Sequence, residues 1–314
     1  MEKCIVPSEL KRVRRKTVAT VGLPCDNNHD PSNIIRHDGR YYLWYTQHLH
    51  GRPYDHFNDC VIKVTTSEDG IVWNEGRVAL APSEKGWDDG GVLTANVFKY
   101  DGMFYMWYIG VGKDYDGGCR DCSLVRATSP DGPFERFLDT PILVHGKPGS
   151  WNDNSVDDVS TLFFRNRWLT YFKGMSFARN DGDLSMIGRA SSDSPLGPYA
   201  LYAGNPIIRG HAFSIWNYRN GLLLLSGLKD KEGEGFIYKG DWNDTRGHQY
   251  LYYSDDGIDF IPCAEFENRA SGIYVPEGEA ANWIENYWGV SVKSTNGHYG
   301  RYIERFDFIV EDAE

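Results

Sequence analysis

The stretch Ser67-Glu-Asp-Gly-Ile-Val-Trp73 recurs as Ser129-Pro-Asp-Gly-Pro-Phe134, as Ser192-Asp-Ser-Pro-Leu-Gly-Pro-Tyr199 and as Ser254-Asp-Asp-Gly-Ile-Asp-Phe260. The four opening serines lie 62, 63 and 62 residues apart. Each copy reads as a tight turn followed by an aromatic residue that starts the next strand. A second element interleaves with the first: Asp38-Gly-Arg-Tyr-Tyr-Leu-Trp-Tyr45, Asp101-Gly-Met-Phe-Tyr-Met-Trp-Tyr108 and Arg165-Asn-Arg-Trp-Leu-Thr-Tyr-Phe172. Weaker copies are Arg219-Asn-Gly-Leu-Leu-Leu-Leu-Ser226 and the segment around Asn286-Tyr-Trp-Gly-Val290. Asp-Gly ahead of alternating aromatics is a strong hairpin signal, because both turn residues must tolerate positive φ. Together the elements supply about four strands per repeat, and five repeats fill the chain. The expectation is an all-β, five-bladed β-propeller over residues 26–314, preceded by residues 1–25 as an arm or short helix packed on the first blade. A β-sandwich with regular turns is the competing architecture.

Composition agrees with short strands and tight turns: of 314 residues, 10 are Trp, 20 Tyr, 15 Phe and 34 Gly. A formal charge of −11 argues against nucleic acid or an anionic membrane as partner and suits a neutral, hydroxyl-rich ligand. Met1-Glu2-Lys3-Cys4 opens with no basic segment and apolar run, so the expected location is the cytoplasm. The six cysteines are then expected as reduced thiols, with Cys119 and Cys122 at a blade-edge turn.

In a propeller the first strand of each blade lines the central channel. Counting eight residues back from each hairpin element reaches Asp30, Leu93, Asp157 and His211. Three of these four positions are ionisable and would converge on one funnel. Converging acids suit a two-group hydrolysis, one group activating water while the other protonates the departing sugar oxygen. Here the proton donor would be His211, with a neighbouring carboxylate favouring its charged form. Asp157 and Asp158 are adjacent, so in a strand only one faces the channel. Glu277 and Glu279 fall at the mouth of the fifth blade, and Trp151 and Trp216, near channel positions, are candidates to stack on sugar faces.

At these residues the sequence resembles glycoside hydrolase family 117, the α-1,3-neoagarooligosaccharide hydrolases. The carriers are His29-Asp-Pro-Ser-Asn33, Gly91-Val-Leu-Thr-Ala-Asn96, Val156-Asp-Asp158 with Tyr171-Phe-Lys-Gly174, and Gly210-His211 before Ile215-Trp-Asn-Tyr218. Gly272-Ile-Tyr-Val-Pro276, Trp288-Gly289 and Arg305-Phe-Asp307 extend the likeness to the C-terminus. The resemblance implies an inverting exo-hydrolase that releases a terminal 3,6-anhydro-L-galactose from short agar fragments. It implies Asp30 as general base, His211 as general acid and Asp157 or Asp158 as supporting carboxylate. Asp158, Thr94, Asn96 and Lys173 within these motifs are taken as substrate contacts. No cofactor is required by this reading, although the resemblance leaves room for a divalent cation in the channel.

Two departures stand out. The family pattern is similar to Gly-His-Glu, whereas this chain has Gly210-His-Ala212. The helical N-terminal extension that family members use for subunit exchange is largely absent, so a homodimer, if formed, needs another surface. The alternatives are an arabinofuranosidase- or fructosidase-type hydrolase, which normally uses Glu as acid, and a catalytically silent sugar-binding propeller. Segments 47–59 and 229–247, polar and glycine-containing, are expected to cover the substrate.

Overall fold

In a computed structural model the chain is described at residues 4–21, 28–49, 57–115, 118–176, 185–226, 250–266, 272–296 and 299–313. Segment 229–247 lies outside these residues, as does most of 47–59. The described residues are all-β, with three short 3-10 turns and no α-helix. None of their helices is long and apolar enough to cross a membrane.

The strands form four sheets. The first has nine strands and contains two antiparallel runs. One holds Ile34–His37, Arg40–His48, Cys60–Ser67 and Arg77–Leu80, with Asn28–His29 as an extra partner of Arg40–His48. The other holds Gly272–Tyr274, Trp288–Asn296, Tyr299–Val310 and Val13–Val21. A single parallel contact, Tyr274 beside Ile34, joins the two runs. The second sheet runs from Gly91–Tyr100 outward to Glu135–Arg136, the third from Ser155–Phe164 to Ala200–Leu201, and the fourth from Ser214–Tyr218 to Ile261–Glu265.

The hairpin signals form as their residue types require. His37 pairs with Arg40, Tyr100 with Met103, Phe164 with Arg167 and Tyr218 with Gly221, each closing a two-residue loop. Asp38, Asp101, Arg165 and Arg219 take φ of 47°, 48°, 47° and 50°, the left-handed region that such loops demand. The serine turns form too: the Ser67 hydroxyl accepts from the Gly70 N–H and the Ser254 hydroxyl from the Gly257 N–H, both at 2.8 Å. The Asp69 carboxylate accepts from the Ile71 and Val72 N–H groups and the Asp256 carboxylate from those of Ile258 and Asp259, which holds both below the usual carboxylate range.

The core is laid between neighbouring sheets. Trp44, Val64, Phe104, Met106 and Tyr108 pack between the first two, and Trp107, Leu124, Val156 and Phe172 between the second and third. The N-terminal segment departs from expectation. Residues 8–12 form one 3-10 turn, and Val13–Val21 is a nine-residue strand paired antiparallel with Tyr299–Val310. It therefore joins the run built from the C-terminus, not the run that begins at Ile34. Buried Val13 at one end packs with Phe306 and Phe308, and buried Val21 at the other packs with Val290, Ile303 and Ile34.

Candidate active site

The inner strands of the four sheets, together with Gly272–Tyr274, border one cavity of about 280 Å³. That lies at the small end of the range for small-molecule sites, roughly 300–1,000 Å³. Its wall carries Asp30, Thr94, Asp158 and Ala212, one residue from the inner edge of each sheet. These four share a second property: φ of 50°, 51°, 49° and 44°. Left-handed backbone is uncommon outside glycine, so its recurrence at one site in all four sheets marks a built feature. In the second and third sheets its cause is a bulge. The register slips between Leu93 and Asn96 and again between Asp157 and Ser160, inserting one residue into the inner strand.

The bulge corrects the register read from the sequence. The equivalents of Asp30 are Thr94, Asp158 and Ala212, not Leu93, Asp157 and His211. In the first sheet the interruption between His29 and Ile34 is one residue longer, so a constant count of eight overshoots elsewhere. Asp158 thus faces the cavity, while Asp157 lies behind it at 1% exposure, outside the cavity wall.

Asp30 Oδ2 lies 2.5 Å from His29 Nδ1 and accepts from the Thr94 hydroxyl at 3.2 Å. The Thr94 N–H is in turn held by the Thr46 hydroxyl at 2.9 Å. Behind Asp158, the buried Lys173 ammonium reaches Asp157 Oδ1 at 2.8 Å and Asp158 Oδ2 at 2.5 Å. Arg120 contacts Asp157 Oδ2 at 3.0 Å. Burial alone would raise both carboxyls. At Asp157 the two cations outweigh it and hold the carboxyl below the usual range. At Asp158 burial wins, with help from the charges of Asp157 and Asp30, and its pKa is pushed up to about 6. The paired carboxylates keep Lys173 firmly protonated against the opposing effect of burial.

His211 is half-buried, and its Nδ1 lies 2.9 Å from the Ser185 hydroxyl. Burial, reinforced by Lys173, lowers its pKa to about 3, so the imidazole is neutral near neutral pH. This reverses the expectation that nearby carboxylates would keep it charged.

The remaining candidates separate clearly. Asn96 lines the cavity, and so does an edge of Trp216, which is otherwise core. Trp151 does not: its ring stacks on Phe172 and covers Gly174, where a Cβ would collide with it. Trp87 covers Gly110 in the second sheet in the same way, so this is a repeated packing device. Lys173 is buried behind the wall, tied to carboxylates, and Glu277 and Glu279 are exposed at a 3-10 turn away from the cavity. Arg120 and Ser185 escaped sequence reading, because neither falls in a repeated element. The carboxylates that would meet a cation in the cavity are Asp30 and Asp158, with neutral oxygens such as those of Thr94 and Asn96 beside them. Lys173 already supplies the charge that balances Asp158, so this set does not fit a resident divalent cation.

Residues 25–180 match the glycosyl hydrolases family 32 N-terminal domain, a stretch that includes Asp30 and Asp158 but ends before the fourth sheet. A probable sucrose-6-phosphate hydrolase of Psychromonas ingrahamii is 32% identical over 149 residues. That match takes in 45% of this chain and 24% of the relative, so the chain spans about a quarter of its length. Over the whole fold, a family 117 glycoside hydrolase of the marine bacterium Zobellia galactanivorans superposes with a TM-score of 0.78, covering 98% of this chain and 94% of that one at 23% identity. The chain has the fold of a family 117 glycoside hydrolase. The resemblance read from short motifs therefore holds for the architecture of nearly the entire molecule. The sucrose-6-phosphate hydrolase of Lactobacillus gasseri follows at a TM-score of 0.66 and 13% identity, covering 95% of this chain and 62% of that one. The likeness to the family 117 structure thus takes in nearly all of both chains, whereas this chain covers only part of the sucrose-6-phosphate hydrolases.

Proposed function

We propose that the chain is a glycoside hydrolase of the family 117 type, with the nine-stranded sheet counting as two blades of a five-bladed propeller. It is an inverting, exo-acting α-glycosidase that removes a terminal 3,6-anhydro-L-galactose-like sugar from small oligosaccharides such as neoagarooligosaccharides. The observation that carries this reading is the presentation of two carboxyl groups, Asp30 and Asp158, at matching left-handed positions on one cavity wall, with Asp158 protonated up to about pH 6.

The chemistry needs one group that accepts a proton and one that gives it. Asp30 accepts hydrogen bonds from Thr94 and His29, which stabilises its carboxylate and aims it into the cavity. It takes a proton from water as the water oxygen bonds to the anomeric carbon. The glycosidic C–O bond breaks with its electron pair going to the leaving oxygen, and that oxygen receives the proton of Asp158. Asp157, Lys173 and Arg120 hold Asp158 in place. His211, the donor implied by the family resemblance, is neutral near neutral pH, and its Nδ1 meets the Ser185 hydroxyl.

A second reading, a fructosidase-type hydrolase, is favoured by the family 32 match over residues 25–180. Product analysis separates the two. The protein is incubated with neoagarobiose, neoagarotetraose, sucrose and sucrose-6-phosphate, with Asp30→Asn as control. Release of anhydrogalactose by the wild type, lowered about 10²–10⁴-fold in the variant, is the expected result. Fructose release would replace it with the second reading. Binding without cleavage of any substrate would make the chain a sugar-binding propeller, a role consistent with Ala212 where the family pattern has Glu.

A further inference from the structure

Three metal-ligating side chains lie together behind Asp30, outside the cavity wall, and the pairing of three strands puts them there. His29 pairs with Thr46, and His48 lies two residues further along the same strand, hence on the same face and diagonal to His29. Cys60 stands directly opposite His48 on the next strand. All three are buried, at 1%, 5% and 0% exposure.

Their donor atoms already have ligand spacing. His29 Nε2 is 2.9 Å from His48 Nε2, and Cys60 Sγ is 3.8 Å from the same His48 nitrogen and 3.3 Å from His48 Nδ1. One donor atom from each residue lies within 4.8 Å of the others. A tetrahedral ion with bonds of about 2.0–2.3 Å sets its ligand atoms roughly 3.3–3.8 Å apart, so only small adjustments are needed. Two imidazoles and a thiolate form a borderline-soft set that selects zinc over calcium or magnesium. The other ring nitrogen of His29 meets the Asp30 carboxylate at 2.5 Å, the carboxylate–histidine arrangement that fixes a metal-bound imidazole.

We infer that His29 Nε2, His48 Nε2 and Cys60 Sγ bind a zinc ion, which acts on Asp30 only through His29. Binding converts the Cys60 thiol to thiolate and releases its proton to solvent. The ion ties Asn28–His29, the short strand that ends at Asp30, to the two strands beside it. This site stands whether or not the proposed reaction is correct, since it rests on none of the cavity chemistry.

Elemental analysis of the full-length protein, purified without a histidine tag and dialysed against trace zinc, tests the assignment. One zinc per chain is expected, falling to background in Cys60→Ser and His48→Ala. Replacing zinc with cobalt(II) in the wild type gives a measurement that no variant's folding can confound. A thiolate-to-cobalt charge-transfer band is the expected spectrum, and a chelator should lower Tm. Folded wild-type protein that takes up no zinc, or a cobalt spectrum without the thiolate band, would overturn the site. The three side chains would then be a hydrogen-bonded chain ending on Asp30.

Discussion

Lys173 carries the electrostatics of the site. Its ammonium, at 6% exposure, is shared between two adjacent carboxyls that burial would otherwise force to take up protons. Removing one partner of a buried pair strands the other's charge, so Lys173→Met should cost about 3–5 kcal/mol in urea unfolding at neutral pH. The sign with pH follows from Asp157, whose pKa is lowered in the folded state. Its contribution is present above the ordinary carboxylate range and is lost as pH falls through its lowered value. The penalty of Lys173→Met should therefore shrink as pH falls from neutral, because burial raises the unpaired carboxyls above the ordinary carboxylate range and they take up protons there. Asp158 behaves oppositely: its raised pKa means that ionisation on going above about pH 6 opposes folding. A donor must hold its proton, so kcat/KM should fall as pH rises through about 6. Asp158→Asn should lower the rate about 10²–10⁴-fold and remove that limb of the profile, whereas His211→Asn should keep the limb. A limb lost with His211 and kept with Asp158 would return the donor role to the histidine. Asp30 was legible from its place ahead of the first hairpin. The choice between Asp157 and Asp158 was not, because strand alternation assumes an unbroken ladder.

The bulged inner strand is the element that makes the cavity. An extra residue re-aims the side chain at Thr94 and Asp158, turning a position that would lie against the neighbouring sheet toward the shared opening. Such strands hold their place through cross-sheet hydrogen bonds. The Asn33 amide donates to the Val97 carbonyl at 2.7 Å and its oxygen accepts from the Val97 N–H at 2.8 Å, stitching the first sheet to the second. Between the second and third, Trp107 donates to the Thr161 hydroxyl at 2.8 Å. Asn33→Ala leaves both Val97 backbone groups without their partner, and chemical unfolding should show a loss of about 1–3 kcal/mol. The tight turns were readable because Ser, Asp and Gly have local reasons to be there. The cavity-edge positions carry no comparable signature: Asp30, Thr94, Asp158 and Ala212 share a backbone angle and almost no side-chain chemistry.

The joining of the first and last strands is a property of the whole molecule. Val13–Val21 comes from one end of the chain and Tyr299–Val310 from the other, and their pairing completes the run that meets Ile34 through Tyr274. Deleting residues 1–21 would expose the hydrogen-bonding edge of Tyr299–Val310 and open the core around Phe306 and Phe308. The truncated chain should lose its cooperative thermal transition and aggregate, as light scattering would show. An unchanged Tm would mean that this strand is an accessory. The repeat of turns and hairpins determined, from sequence alone, that the chain is all-β, how long each unit is and that Asp30 stands at a strand entrance, because those features depend on residues close together along the chain. Which residues meet at the cavity was decided only by tertiary structure. The facing of Asp158, the neutrality of His211, the withdrawal of Trp151, Glu277 and Glu279, and the pairing of the two termini all depend on neighbours distant in sequence. Burial and charge act through space, and no spacing of letters records them.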